Sequence, residues 1–340
     1  MTSLDPSAPW HDERWRERGD NPLQAGLRQQ QAWWRQECLV IPEAGHLHPV
    51  PKKGERQRRR NPVVSSMLPE SVDGFAANLM TDEAIEAYTD AKQGLEDAPG
   101  LIHDDRLRRD LLASQPLSFN IFGYLSKAEP DALLGWVRSY SPEAASVVGI
   151  RLVYAPSREE LGAEPLGGAA FDAFIEYART DGRLGFIGVE MNYHEDLGKG
   201  LTIPPEGSAL RATYVAETAA HGWPDGAADE LLTNRRNLQF WYHQLLAQRT
   251  ATLVKADDGT PKYAEHTVVV VASRYDTSAR SVAEKVASLL VDQGTLRFCA
   301  LDDVIGQVTG HEPWKHSMWQ RYTDFTPIQR ELAAGSPLRL

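Results

Sequence analysis

The sequence has little cysteine, no long apolar stretch and no excess of basic residues. Cys38 and Cys299 are its two cysteines, which suit neither a disulfide framework nor a cysteine metal site and fit a reducing compartment. The longest apolar run, VVVVA at 268–272, is far shorter than the roughly 20 residues of a membrane helix. The N-terminus lacks an apolar signal region. We therefore expect a soluble, cytoplasmic protein that does not enter a membrane.

Several motifs are also missing. The chain has no P-loop, no G-x-G-x-x-G, no G-x-S-x-G elbow and no catalytic Cys–His pairing, which argues against the common nucleotide-binding proteins and covalent hydrolases. The net charge of −11 argues against a protein that coats nucleic acid non-specifically, although a local basic surface remains possible.

One segment, PKKGERQRRR at 51–60, is strongly basic. It carries six cations against Glu55: Lys52, Lys53, Arg56, Arg58, Arg59 and Arg60. Two interpretations stay open. The segment is either a solvated loop or an arm that contacts phosphates, since clustered Arg and Lys release counterions from a nucleic-acid backbone.

From about residue 70 the chain alternates between helical and strand patterns. A Thr81 or Asp82 cap precedes a helix, and Pro116 is expected to end or kink the next one. Apolar and β-branched runs predict strands at 145–155, 169–179 and 184–193. Later patterns predict a helix, a buried strand, a helix and a last strand at 228–248, 266–274, 278–294 and 295–301. This order predicts an α/β protein with a mixed central sheet flanked by helices.

Polar residues crowd the end of one apolar strand, in GFIGVEMNYHEDL at 185–197. The polar residues are Glu190, Asn192, Tyr193, His194, Glu195 and Asp196. A strand interior normally excludes unpaired charge. Either this strand runs out into solvent, or its end is a functional site.

The hairpin loop decides which residues face each other. With the three-residue loop 180–182, Arg179 faces Arg183, and Asp172 lies opposite Glu190 on the face that Asn192 shares. A two-residue Asp-Gly turn would shift the pairing by one and leave solvated strand ends. Facing carboxylates destabilise an ordinary sheet, but a divalent cation removes their repulsion. We prefer the first register, which predicts a Mg²⁺ site.

The pattern GGAAFDAFIEY at 167–177, followed by GFIGVEMNYHEDL, resembles the half-motifs of the PD-(D/E)xK nuclease superfamily. In similar bacterial members the second half-motif reads like G-(F/L)-(I/L)-G-(I/V)-E-x-K-Y-x-E. SQPLSFNIFGYL at 114–125 looks like the helix before the core strands, and the helix around 236–239 looks like the one after them. The likeness extends over about 105–275 and implies a restriction-endonuclease-like core.

The resemblance implies roles by position. Asp172 and Glu190 would hold Mg²⁺ or Mn²⁺, with the backbone carbonyl of Met191 as a further ligand, and the metal would activate a water at the scissile phosphate. The third position, normally Lys, is Asn192 in this chain. Lysine supplies positive charge beside the attacking water. Asparagine can orient a water but supplies no charge.

Other residues are candidates for supporting roles. Glu195 could compensate for the missing lysine, as could Lys199 if the GKG loop folds back. His194 points to the opposite face of the strand by alternation. The resemblance places three further residues near the site: Gln115, Asn120 and Gln239.

These observations predict an organisation and a function. We expect an N-terminal extension at 1–69, a nuclease-like α/β domain at 70–310 and a C-terminal extension at 311–340. The predicted function is metal-dependent hydrolysis of nucleic-acid phosphodiesters, DNA more than RNA, in restriction or phage defence. The alternative is an inactive nuclease fold that binds nucleic acid or a protein partner. A protein partner or a homodimer remains open in either case.

Overall fold

A computed structural model describes residues 17, 19–48, 61–95, 101–163, 166 and 169–333. The basic segment 51–60 lies outside these residues. The helices are α1 (Pro22–Trp33), α2 (Gly74–Asn78), α3 (Asp82–Gly94), α4 (Asp104–Arg109), α5 (Ser114–Ser118), α6 (Tyr124–Ala128), α7 (Leu134–Arg138), α8 (Arg158–Leu161), α9 (Ala209–Ala220), α10 (Ala227–Leu231), α11 (Leu238–Leu253), α12 (Thr277–Ser288), α13 (Leu301–Gln307), α14 (Glu312–Tyr322) and α15 (Thr326–Ala333). The strands are β1 (Gly45–His46), β2 (Val63–Val64), β3 (Ala144–Tyr154), β4 (Phe171–Arg179), β5 (Leu184–Asn192), β6 (Tyr263–Ala272) and β7 (Leu296–Ala300).

The central sheet has five strands in the order β3-β4-β5-β6-β7. The first three strands are antiparallel neighbours, whereas β5, β6 and β7 run parallel. Helices α9 to α11 connect β5 to β6, and α12 connects β6 to β7. The predicted α/β fold with a mixed, helix-flanked sheet is confirmed.

The β4–β5 hairpin has the register that the three-residue loop predicts. Ala173 pairs with Val189, and the N–H of Arg179 donates to the carbonyl of Arg183 at 2.8 Å. Gly182 has a φ of +80°, a left-handed conformation that glycine adopts without steric cost. The next pair beyond Ala173 and Val189 is Asp172 with Glu190.

Side chains of β5 alternate between two hydrophobic cores. Ile187, Val189 and Met191 enter the core shared with α1, α5 and α14, while Phe186 enters the core formed with α9 to α12. Glu190 therefore faces α11 and α12. Gly188 shares this face, where an added Cβ would lie 2.4 Å from the Phe171 ring, so close packing there requires glycine.

Segments near both ends of the chain join the first core. The N-terminal part supplies Trp33 and Trp34, and the C-terminal part supplies Met318 and Tyr322. The fully buried Arg321 donates to the side-chain oxygen of Asn78 at 2.5 Å. Since charged groups need partners when buried, this network ties α14 to the body of the protein.

Two helix predictions differ from the structure. The helix expected at 228–248 is divided, because the side chain of Asn234 accepts from the N–H of Arg236 and starts a new helical turn before α11. Pro116 does not end a helix. It lies in the first turn of α5, where its missing N–H costs nothing.

Within the described part of the chain, the structure contains no helix with the length and apolar character needed to cross a bilayer.

Candidate active site

Asp172 lies where the β4–β5 ladder ends. The last backbone pair is Ala173 with Val189, and beyond it Oδ2 of Asp172 accepts from the N–H of Met191 at 2.7 Å. A side chain thus replaces the β4 backbone as the partner of Met191. The Asp172 carboxylate is thereby held at the edge of the hairpin, beside Glu190.

The carbonyl of Met191 points in the same direction as its N–H group, toward Asp172. In a strand, the N–H and C=O groups of one residue point to the same neighbour. Since the N–H of Met191 meets Asp172, its carbonyl also points toward β4 and not toward β6. A carbonyl oxygen is therefore presented next to the Asp172 carboxylate.

Glu190 is held by two side chains of α11. The amide nitrogen of Gln239 donates to Oε1 of Glu190, and Nε2 of His243 lies 2.8 Å from Oε2. Glu190 is 5% exposed, and a carboxylate at that depth is costly unless it is paired. Gln239, a predicted candidate, thus lies in the site.

His243 contributes a buried positive charge that the sequence interpretation missed. Its Nδ1 lies 2.8 Å from the carbonyl of Gln239, and its Nε2 lies 3.0 Å from the carbonyl of Ala170. Both ring nitrogens face acceptors, so both carry hydrogens. Burial alone would lower the pKa of His243, but Glu190 and the two carbonyls raise it. The sequence contained one signal for His243. It follows Gln239 by four residues on the same helix, so the two side chains are neighbours on one helix face.

The two predicted metal carboxylates repel each other. Burial raises the pKa of Asp172, and the neighbouring charge of Glu190 raises it further, against a smaller opposing effect of the Met191 N–H. This is the expected result for like charges that share one site. The pair therefore favours binding of a cation.

Asn192 is fixed by Asp276, a second residue that the sequence interpretation missed. Asn192 is 1% exposed, and its Nδ2 donates to Oδ2 of Asp276 at 3.0 Å. Oδ1 of Asp276 accepts from the N–H of Ala279 at 2.8 Å and caps α12. Oδ1 of Asn192 has no hydrogen-bond partner among the described residues.

Glu195 joins the end of β5 to the start of α5. Its Oε1 accepts from the N–H and hydroxyl of Ser114, each at 3.0 Å, and from Arg106 at 3.1 Å. Its Oε2 accepts from the N–H groups of Tyr193 and His194 at 3.2 Å. Burial would raise the pKa of Glu195, but His194, Arg106 and Ser114 hold it well below the usual range.

Gln115 and Asn120 make their bonds outside this cluster. Gln115 donates to the carbonyl of Leu101 and accepts from the N–H of His103. Asn120 is buried and its side chain has three partners: the N–H of Met80, the carbonyl of Asn78 and the hydroxyl of Tyr322.

A groove opens beside the Asn192–Asp276 pair. It encloses about 450 Å³ between α1 and the 234–236 turn, and its cations are Lys199, Arg235 and Arg236. A neighbouring cavity of about 880 Å³ shares Lys199 and extends to Asn61. Asn61 exchanges hydrogen bonds with the backbone of His48. The two residues flanking the undescribed stretch 49–60 are thus joined at this cavity.

A family model for the PD-(D/E)XK nuclease superfamily matches residues 18–324. The chain belongs to the PD-(D/E)XK nuclease superfamily. Membership indicates a nuclease with a nucleic-acid substrate, and nucleases of this superfamily generally use divalent metals such as Mg²⁺. No curated protein and no solved structure shows a significant match to the chain.

The donor set of this PD-(D/E)XK nuclease chain fits a hard cation. No group of three or more His, Cys, Asp and Glu side chains suited to a metal occurs in the described ranges, so a cation at this position would have two carboxylates and a carbonyl as its protein ligands. Mg²⁺ is typically bound by one or two carboxylates and keeps several waters. Each carboxylate oxygen has two acceptor positions, so Glu190 can keep its α11 contacts.

Proposed function

We propose that this protein is a metal-dependent endonuclease that hydrolyses phosphodiester bonds, in DNA rather than RNA. The observation that carries the proposal is the register of the β4–β5 hairpin, which sets Asp172 opposite Glu190 just beyond the last backbone pair of the two strands. In the proposal these carboxylates and the carbonyl of Met191 hold Mg²⁺ or Mn²⁺. When bound, the metal would polarise the phosphate and activate the attacking water.

Residues of α11 hold the site ready for this chemistry. Gln239 and His243 fix both oxygens of Glu190, so the carboxylate does not need to be reoriented when a cation enters. His243 also places a positive charge within the site. In the superfamily motif a lysine supplies such a charge, and this chain has Asn192 at the lysine position. That charge favours the phosphodiester anion and the extra negative charge of the transition state.

The reaction balances without a redox partner. The oxygen of a water bonds to phosphorus, and one phosphorus–oxygen ester bond breaks. One hydrogen of the water stays on the new phosphate monoester or ionises to solvent, and the leaving sugar oxygen collects a proton. The described residues need only position the water and stabilise charge.

The groove supports a polynucleotide substrate. Its lining includes Asp276, the partner of Asn192, and the cations Lys199, Arg235 and Arg236. Asn61 lines the adjoining cavity. It directly follows the basic segment 51–60, whose six cations would bind phosphates. We place the candidate Lys199 here, as a substrate contact. Restriction or phage defence is the biological role we propose for such an enzyme.

A second candidate function is binding without cleavage, to nucleic acid or to a protein partner. Asn192 favours it, since the superfamily motif has lysine there. Purified protein should be incubated with plasmid, single-stranded DNA and RNA, in Mg²⁺, Mn²⁺ or EDTA. Cleavage of DNA that requires metal and is lost in both Asp172→Ala and Glu190→Ala supports the endonuclease. Retention of DNA on the protein with no cleavage in either metal supports the binding protein.

A further inference from the structure

We infer that Asp276 is a positioning residue that turns Asn192 into a hydrogen-bond acceptor for the attacking water. The inference rests on the proposed hydrolytic function and extends it. It gives the residue at the lysine position of the motif a defined task, and it assigns a role to a carboxylate outside the hairpin.

The direction of the Asn192 amide follows from its partner. An amide has one donor end and one acceptor end, whereas an ionised carboxylate only accepts. Asp276 meets Nδ2 of Asn192 at 3.0 Å and is itself held by the N–H of Ala279 at 2.8 Å. With Nδ2 committed to Asp276, the end that remains is Oδ1. Lysine at this position would have offered a donor, so the polarity here is reversed.

The side-chain oxygen of Asn192, Oδ1, needs a hydrogen-bond donor. It is buried and has no partner among the described residues, and a buried acceptor without a partner destabilises the protein because it has lost its hydrogen bonds to water. Asn192 lies on the same strand face as Glu190, two residues further along, which is about 7 Å. A water bound there would lie beside the Asp172–Glu190 pair.

Such a water has the orientation that hydrolysis needs. If one of its hydrogens points to Oδ1 of Asn192, a lone pair of its oxygen is free to attack phosphorus. Asn192 takes up no proton, since an amide is not a base at neutral pH. Its contribution is to hold the water in place.

The substitution Asp276→Asn tests this assignment with little change in shape. Asparagine is among the best N-cap residues, so Ala279 keeps its acceptor and α12 is preserved. However, the new amide nitrogen would face residue 192 and force the Asn192 amide to turn, which presents Nδ2 to the site. The double variant Asn192→Asp with Asp276→Asn restores an acceptor, because the carboxylate accepts at both ends.

Single-turnover cleavage should be measured for the wild type, the single variant and the double variant, with affinity for the same DNA in EDTA as a second readout. We expect Asp276→Asn to slow cleavage about 100-fold at unchanged affinity, and the double variant to recover most of the loss. Equal rates in the wild type and Asp276→Asn, or a double variant no faster than Asp276→Asn, would overturn the inference. A wild type that cleaves nothing refutes the proposed function instead.

Crystal structures obtained in EDTA test the acceptor without turnover. In the wild type we expect an ordered water within about 3 Å of Oδ1 of Asn192. In Asp276→Asn the contact should be to Nδ2. A wild-type structure with no water at Oδ1 overturns the inference whether or not the protein cleaves DNA.

Discussion

Nε2 of His243 lies 2.8 Å from Oε2 of Glu190, and both side chains are more than nine-tenths buried. The pair joins α11 to the end of β5. A buried ion pair is not a large source of stability by itself, since removing its charges from water is costly. Removal of one partner is much worse, because it leaves an uncompensated charge inside the protein.

We predict that His243→Gln lowers the free energy of unfolding by about 3–5 kcal/mol without metal. Mg²⁺ should raise the melting temperature of this variant more than that of the wild type, because a cation would neutralise Glu190. The raised pKa of His243 sets the pH dependence of the stability difference between the wild type and the variant. The difference is complete below the ordinary pKa of histidine, and it declines as the pH rises through the raised pKa of His243. His221→Gln, in a partly exposed pair with Glu217, is the control. Equal Mg²⁺ effects in all three proteins would contradict the prediction.

Asp172→Asn should abolish cleavage and yet stabilise the metal-free protein by about 1 kcal/mol, since it removes the repulsion from Glu190. The asparagine oxygen can still accept from the N–H of Met191, so the hairpin end is preserved. Nuclease assays and thermal unfolding in EDTA measure the two effects. Asp257→Asn, at an exposed loop position, should change neither. Cleavage that survives Asp172→Asn would show that the chemistry lies elsewhere.

Binding of Mg²⁺ should release protons and become tighter as the pH rises. The pKa of Asp172 is raised, so part of the population is protonated at low pH, and a metal binds the ionised carboxylate. Affinity should increase through the raised pKa and then level off. Calorimetry in two buffers with different ionisation enthalpies counts the released protons. We expect Asp172→Asn to release fewer protons than the wild type. An unchanged number of released protons in that variant would show that Asp172 is not a metal ligand.

Glu195→Gln should lower stability by about 2 kcal/mol at neutral pH, because the charged acceptor of five hydrogen bonds is replaced by a neutral one. The pKa of Glu195 is lowered in the folded protein, so its contribution is complete above the ordinary carboxyl pKa of 4.5 and disappears as the pH falls toward the lowered value. The deficit of the variant should therefore shrink in acid. Denaturant unfolding at a series of pH values measures it, and a constant deficit would be inconsistent with this prediction.

Neutralisation of Arg58, Arg59 and Arg60 together should weaken DNA binding and reduce its dependence on salt, since fewer counterions are released. The control replaces three cations near the first residues of β5 and β6, at the opposite end of these strands from Glu190 and Asn192: Arg183, Lys255 and Lys262. Binding isotherms between low and moderate salt give the slopes. If both triple variants change the slope equally, only total charge matters, and segment 51–60 is a solvated loop.

Local sequence rules determined the hairpin and the order of the elements along the chain. Gly182 permits the three-residue loop, strand alternation then places Asp172 opposite Glu190, and the structure has that register. The order of helices and strands was likewise readable, because amphipathic periodicity is a property of neighbouring residues. The division of the helix before α11 could not be read from this periodicity, since it depends on one capping side chain, that of Asn234.

Tertiary structure alone decided what surrounds the two carboxylates. His243 and Asp276 stand 53 and 84 residues from their partners Glu190 and Asn192, and no periodicity connects positions so far apart. Gln115 and Asn120 bond with other segments, while Gln239 reaches Glu190. The sequence determined which groups lie at the end of β5. The packing of α11 and α12 against that strand decided which of them are paired, because a buried polar group takes the partner that the fold brings within reach.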